Sequence, residues 1–166
     1  MRGIALVGLV ALFVIGGCPG LPAAPVVTVL TAGSYGGTLT CTGTRTDAAG
    51  TQPLESTLEA TVEVTELGQL NVYGDDYVPG RTLTTTTGGV TITQTIESIT
   101  EEEDTSSVSI LTTGTIAGQG KAFDTTHDIT ITQADATHLE VRDIESSIDA
   151  GNDVSVQMEC SGTLAR

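Results

Sequence analysis

The feature that most narrows what this chain can fold into is a period of two. Tyr35, Gly37, Leu39, Cys41 and Gly43 alternate with Thr38, Thr40, Thr42 and Thr44. Leu58, Ala60, Val62 and Val64 alternate in the same way with Glu59, Thr61, Glu63 and Thr65. Successive side chains of a strand point to opposite faces, so such runs predict half-buried antiparallel strands with the aliphatic set inward. Shorter runs follow at Leu70 and Val72, around Leu83, and at Val90 and Ile92. Others lie at Val108 and Ile110, Ile129 and Ile131, Leu139 and Val141, and from Val154 through Val156 and Met158 to Cys160. Turn-forming Gly, Pro and Asp separate them at 47–50, 74–76, 79–80, 88–89, 118–120 and 149–153. The expectation is an all-β fold, an antiparallel meander of about 8–9 strands. A closed β-barrel is preferred and a β-sandwich is the alternative. Ile99 and Leu111 interrupt the alternation, as β-bulges do.

The outward positions are Thr, Ser and Glu, with no apolar band and no aromatic girdle. A barrel that crosses a membrane needs the reverse, so this one is expected in water. Tyr35, Tyr73, Tyr77 and Phe123 are the only aromatics beyond the first 18 residues, which leaves the core to aliphatic side chains. A formal net charge of −15 repels phosphate backbones and anionic headgroups alike. Nucleic acid is therefore an unsuitable partner, and membrane attachment would need a covalent or apolar anchor.

The first residues carry an address. Met1 and Arg2 make a short positive start, and residues 3–15 (GIALVGLVALFVI) form an apolar stretch of signal-peptide length. The stretch ends in Ile15-Gly16-Gly17-Cys18, which resembles the lipobox of bacterial lipoproteins: an aliphatic residue, two small residues and the lipidated Cys. That resemblance covers residues 1–18. It implies a signal peptide over 1–17, cleavage before Cys18, and acylation of the Cys18 thiol, giving a durable anchor when two or more chains insert. In that family an Asp after the Cys retains the protein at the inner membrane. Pro19 stands here instead, so the outer membrane or cell surface is the expected location. Three prolines and a glycine within 19–25 suit a semi-extended tether. The expected division is signal peptide 1–17, lipid-anchored Pro-rich tether 18–32 and β-barrel-like domain 33–166.

With Cys18 assigned to lipid, Cys41 and Cys160 remain, and an exported compartment allows them to oxidise. Cys41 shares a face with Leu39 and Tyr35, and Cys160 shares one with Met158 and Val156, so both thiols point inward. A disulfide between them would set the first strand beside the last and close a barrel, although a bridge between sandwich sheets would also satisfy it.

Motifs that carry chemistry are sparse. His127 and His138 suggest a metal, but a hairpin turning at Ala134-Asp135 puts His127 opposite Arg142 or Asp143. His138 then falls opposite Ile131 or Thr132, so surface histidines are the better reading. The acidic run Glu101-Glu102-Glu103-Asp104 belongs at a hairpin tip and lacks the alternating ligands and Gly of a calcium loop. Asp149, Asn152 and Asp153 form a shorter, weak calcium candidate, and no metal or cofactor is expected. Asp143 and Glu145 are a carboxylate pair of the kind any acidic chain contains. No nucleophile elbow or phosphate-cradling loop is present. An enzyme is not expected.

Two functional readings follow. The first is a non-enzymatic cell-envelope lipoprotein that serves as a structural or interaction module, with an envelope protein as partner. The second is a carrier of a small apolar ligand. Gly33-Ser34-Tyr35 before a meander is similar to the first strand of lipocalin-like barrels, with Tyr35 where that fold has Trp. Its cavity would be lined by Tyr35, Leu39, Val62, Ile92, Val108, Ile129, Val141 and Val156. The inward Gly37, Gly43 and Gly114 would either leave room for that ligand or let a narrow barrel close.

Overall fold

Alternating Thr and aliphatic residues have little to gain from a helix, where β-branched side chains crowd the preceding turn, and much from a pleated surface. The computed structural model accordingly is all-β; it describes residues 26–118, 121–149, 151 and 153–166. Cys18, Asn152, the signal peptide and residues 18–25 of the tether lie outside the described residues.

Ten strands form one antiparallel sheet: β1 (Gly33–Asp47), β2 (Gly50–Val64), β3 (Leu70–Val72), β4 (Asp75–Asp76), β5 (Thr82–Thr87), β6 (Val90–Glu102), β7 (Ser107–Gly118), β8 (Lys121–Asp135), β9 (His138–Asp149) and β10 (Val154–Ala165). Their order is β4-β3-β2-β1-β10-β9-β8-β7-β6-β5, a meander whose first long strand lies beside its last. The remaining seam falls between β4 and β5, which are consecutive in the chain. There the Tyr77 amide donates to the Leu70 carbonyl (2.9 Å), the Gly80 amide to Ile96 (2.7 Å) and the Ile96 amide to Arg81 (3.0 Å). The barrel is thus nearly closed, with the connecting segment serving as its last stave. The strand that the sequence pattern does not foretell is the two-residue β4, too short to leave a periodic trace.

Cys41 and Cys160 are directly opposed in the β1–β10 ladder and joined as a disulfide, with a Cα–Cα separation of 3.9 Å. The bridge therefore ties first strand to last within one sheet. The alternation breaks along β6 as expected: a bulge at Glu97 shifts the register between Ile96 and Ser98 and brings Ile96 and Ile99 to the same inner face. Leu111, the other interruption, points outward and is 42% exposed.

The β8–β9 hairpin departs from expectation. Asp135 pairs with His138, so the turn is Ala136-Thr137, and Ala134 is an irregularity in the ladder. The cause is local: the Asp135 carboxylate accepts the Thr137 amide (2.7 Å) and starts the turn there. His127 consequently faces Glu145 across the ladder, and His138 sits at the turn. His138 is surface-exposed, but His127 shares the inner face of Ile129 and Ile131, and its side chain is 18% exposed. The reading of both histidines as surface residues is corrected for His127.

Two halves of the barrel differ in character. One is a packed apolar core of Tyr35, Leu39, Val62, Ile96, Val108, Ile110, Ile129, Ile131, Leu139 and Leu164, each at most 1% exposed. Residues 26–32 lie across its mouth. Val27 and Leu30 are buried in the core, the Val27 amide donates to Gly68 (2.7 Å), and the Thr31 amide donates to the Gln133 side chain (2.6 Å). The Thr28 amide and hydroxyl both donate to Glu101, and Tyr35 donates its hydroxyl to the Thr31 carbonyl (2.8 Å). Within the stretch 18–32 expected as a tether, Val27 and Leu30 thus pack on the barrel, because their aliphatic side chains cover the apolar end of the core.

In the other half the sheet splays. Among the described residues β2 pairs with β3 only over Val62–Val64, leaving its stretch from Gly50 to Ala60 with a neighbour on one side. Leu58 faces inward by parity yet is 39% exposed, and Ile92 is 36% exposed for the same reason.

Candidate functional site

The inner face of β9 changes from apolar to polar along its length. Leu139 and Val141 lead to Asp143, Glu145, Ser147 and Asp149, all on the same side by alternation, and Asp143, Ser147 and Asp149 are buried. A buried carboxylate must be hydrogen-bonded to be tolerated. Asp143 takes the Tyr73 hydroxyl on one oxygen (3.1 Å) and lies 3.3 Å from His127 Nδ1 on the other. Tyr73 reaches it from the far side of the barrel, 70 residues away in sequence. The three side chains form a bar across the interior that joins the β3–β4 turn, β9 and β8, where the apolar half gives way to the polar one.

Backbone geometry makes this placement unusual. Tyr73 and Gly74 form the two-residue turn between Val72 and Asp75, with φ of 55° and 92°. A turn of this kind needs positive φ at both positions and prefers Asn, Asp or Gly. A bulky residue there costs about 1 kcal/mol or more, which the cross-barrel hydrogen bond and the burial of the ring offset.

Electrostatics follow from burial and proximity. Burial first, then the Asp143 carboxylate, pushes the Tyr73 hydroxyl far above its ordinary value. The same causes, with Asp75, push Tyr77 up to about 12. For His127, burial opposes the charged ring, but the hydrogen bond and charge of Asp143, aided by Glu145, outweigh it and raise the imidazole above its usual value. Next along the wall, the Ser147 hydroxyl donates to Glu145 (2.9 Å), and its oxygen lies 3.3 Å from Thr125 Oγ1. The hydroxyl nearest in kind to a nucleophile is thus engaged away from His127. The chemistry on display is strand-to-strand tethering by charged and neutral hydrogen bonds.

The expected cavity residues separate into two groups. Tyr35, Leu39, Val62, Val108, Ile129 and Val141 come together, each at most 2% exposed and packed against its neighbours in the core. Ile92 and Val156 lie in the splayed half, Val156 half-buried opposite Ser147 and Arg45. The inward glycines bear on the choice between room and closure. A Cβ built on Gly43 would stand 2.1 Å from the Gln157 carbonyl oxygen, and one on Gly114 would stand 2.0 Å from that of Thr93. Both positions are filled by the adjoining strand, so these glycines let a narrow barrel bend shut.

Of the weak calcium candidates, Asp149 is buried and accepts the Gly151 amide (3.0 Å), whereas Asp153 is exposed in a left-handed turn (φ 52°). Among the described residues no group of three or more His, Cys, Asp and Glu is arranged to hold a metal ion. The acidic run sits at the β6–β7 tip, where Glu101 secures Thr28.

Sequence reasoning reached Asp143, Glu145 and His127 one by one and missed Tyr73. Polar residues at inward parity after Val141 were a legible signal for a polar wall. The tyrosine crossing from a turn was not legible, because nothing in a turn's sequence says what lies opposite it. Comparison of the chain with protein-family models, with curated proteins and with solved structures finds no match.

Proposed function

We propose that this chain is a non-enzymatic cell-envelope lipoprotein, anchored through Cys18, whose barrel is a structural or interaction module. The observation that carries the reading is the position of residues 26–32. They lie across the apolar end of the barrel, so a lipid eight residues upstream of Val26 attaches at that end, and the splayed polar end faces away from the membrane. A packed apolar core with exposed Thr-rich and acidic walls suits presentation to a partner. An envelope protein recognised through the polar end is the partner class that fits. Carriage of a small apolar ligand has less support, because six of the eight residues expected to line its cavity are packed in the core and the positions of Gly43 and Gly114 are filled by neighbouring backbone.

Two measurements test this together. Expressed in a bacterium fed an alkyne fatty acid, the chain should take up label and fractionate with membranes, and Cys18→Ser should abolish both. Soluble, unlabelled wild-type chain would refute the anchor. Val62→Phe separates module from carrier: overpacking a closed core should cost about 1–3 kcal/mol. A Val62→Phe protein with undiminished stability would show an interior with room and restore the carrier.

A further inference from the structure

Sheet edges differ in how they are guarded. Natural proteins protect a free edge with Pro, charge, bulges or brevity, since an open row of amides and carbonyls invites another strand. The edge at β4 is two residues long and both are Asp. The free stretch of β2 carries Pro53, Glu55 and Glu59. β5, the terminal strand at the other end of the sheet, reads Thr82-Leu83-Thr84-Thr85-Thr86-Thr87 and has none of these devices. Its residues from Thr84 to Thr87 are exposed, as are Gly88 and Gly89 at the hairpin tip.

Charge selects the occupant. Residues 82–96 contain no ionisable side chain, in a chain whose net charge is −15. Two copies repel each other over most of their surfaces and can approach here without that penalty. We propose that a second copy of this chain adds to the edge of β5 that is free among the described residues, joining two sheets edge to edge about a two-fold axis. The inference does not depend on the lipid anchor or on what the polar end binds.

The register follows from the hairpin. Thr87 and Val90 flank the two-residue turn Gly88-Gly89 and so form a hydrogen-bonded pair. By alternation, Thr85–Ile92 and Leu83–Gln94 are also hydrogen-bonded pairs, and the amides of Thr82, Thr84 and Thr86 point to the free edge. A two-fold axis perpendicular to the sheet keeps inner face with inner face. Placed at Thr84, it sets Thr84 against its own copy and Thr82 against Thr86 of the partner subunit. All three free amides are then used, in about six backbone hydrogen bonds, and each of these pairs is Thr on Thr. The chain already favours such pairs: Thr82–Thr95 and Thr86–Thr91 meet at 3.1 Å, and Thr46–Thr51 at 3.0 Å.

The test is sedimentation velocity on the full chain carrying Cys18→Ser, so that no acyl chain contributes, in a mild non-ionic detergent that shields the apolar leader. A concentration-dependent dimer is expected. Thr84→Pro removes one edge amide without touching the β6 ladder and should weaken the dimer at least about tenfold. Thr84→Lys keeps that amide but places like charges face to face on the axis, and should weaken it similarly although it reduces the net negative charge. Either variant is scored only with a wild-type circular-dichroism spectrum. A wild-type chain that stays monomeric to about 100 µM overturns the proposal. So does a dimer that a folded Thr84→Lys leaves intact, which would put the contact elsewhere.

Discussion

Removing the Cys41–Cys160 bridge should cost this protein much of its stability while leaving its fold in place. The bridge spans 119 residues of sequence. In the chain-entropy treatment, closing a loop of that size in the unfolded ensemble is worth about 5 kcal/mol at 25 °C. The two sulfurs are nearly fully buried, so Cys41→Ala with Cys160→Ala also loses a little packing. Nothing else in the β1–β10 ladder depends on them: Thr40 to Thr46 remain paired with Ser161 to Ser155, so the barrel should still close. Domains of this size are commonly stable by about 5–15 kcal/mol, so the loss is a large share of the total. With an unfolding entropy of about 0.3 kcal/mol/K for such a domain, the melting temperature should fall by roughly 15–20 °C. Urea titrations and calorimetry of the wild type, the double Ala variant and the reduced wild type supply the assay. The double variant and the reduced protein should agree with each other. A fall below about 5 °C with an unchanged fold would refute the loop-closure account and imply that β1 and β10 are already held together in the unfolded chain.

The interior bar makes a pH prediction with a definite sign. Because Asp143 holds His127 above its ordinary value, the contribution is fully present below the unfolded histidine pKa of about 6.5. It is lost as the pH rises through the higher folded value. Urea midpoints should therefore decline across that window in the wild type, and Asp143→Asn should flatten the decline; a decline that survives in Asp143→Asn would assign it to other groups. Tyr73→Phe should cost about 1–2 kcal/mol by leaving Asp143 with one partner fewer, and a cost near zero would mean that the cross-barrel bond contributes nothing. Gly43→Ala and Gly114→Ala should each destabilise by about 1–3 kcal/mol or more, since their Cβ atoms meet backbone. Gly36→Ala, whose nearest contact is 4.0 Å, should be nearly silent. Equal tolerance at all three would point to slack in the barrel wall.

What the sequence determined by itself is whatever depends on parity and proximity along the chain. Strand identity, the inward face of nearly every strand, the meander and the facing thiols all follow from a side-chain period of two, which is a local property of the backbone. The turn lies at Ala136-Thr137, two residues beyond the expected Ala134-Asp135, because the Asp135 carboxylate takes the Thr137 amide, and such local bonds shift a register without changing the pattern. Only the tertiary structure decided matters that depend on what lies opposite. Residues 26–32 read as the end of a tether because Val26, Val27, Val29 and Leu30 follow a proline-rich stretch and show no period of two, yet the apolar end of the barrel buries Val27 and Leu30. Gly43 and Gly114 could have meant a cavity or a tight bend, and the carbonyls of Gln157 and Thr93 in their space make it a bend. Tyr73 became part of the interior because curvature brings the β3–β4 turn across from β9, where Asp143 required a donor. A contact of this kind, between residues 70 apart, is set by how the sheet curves, and a one-dimensional pattern does not carry that information.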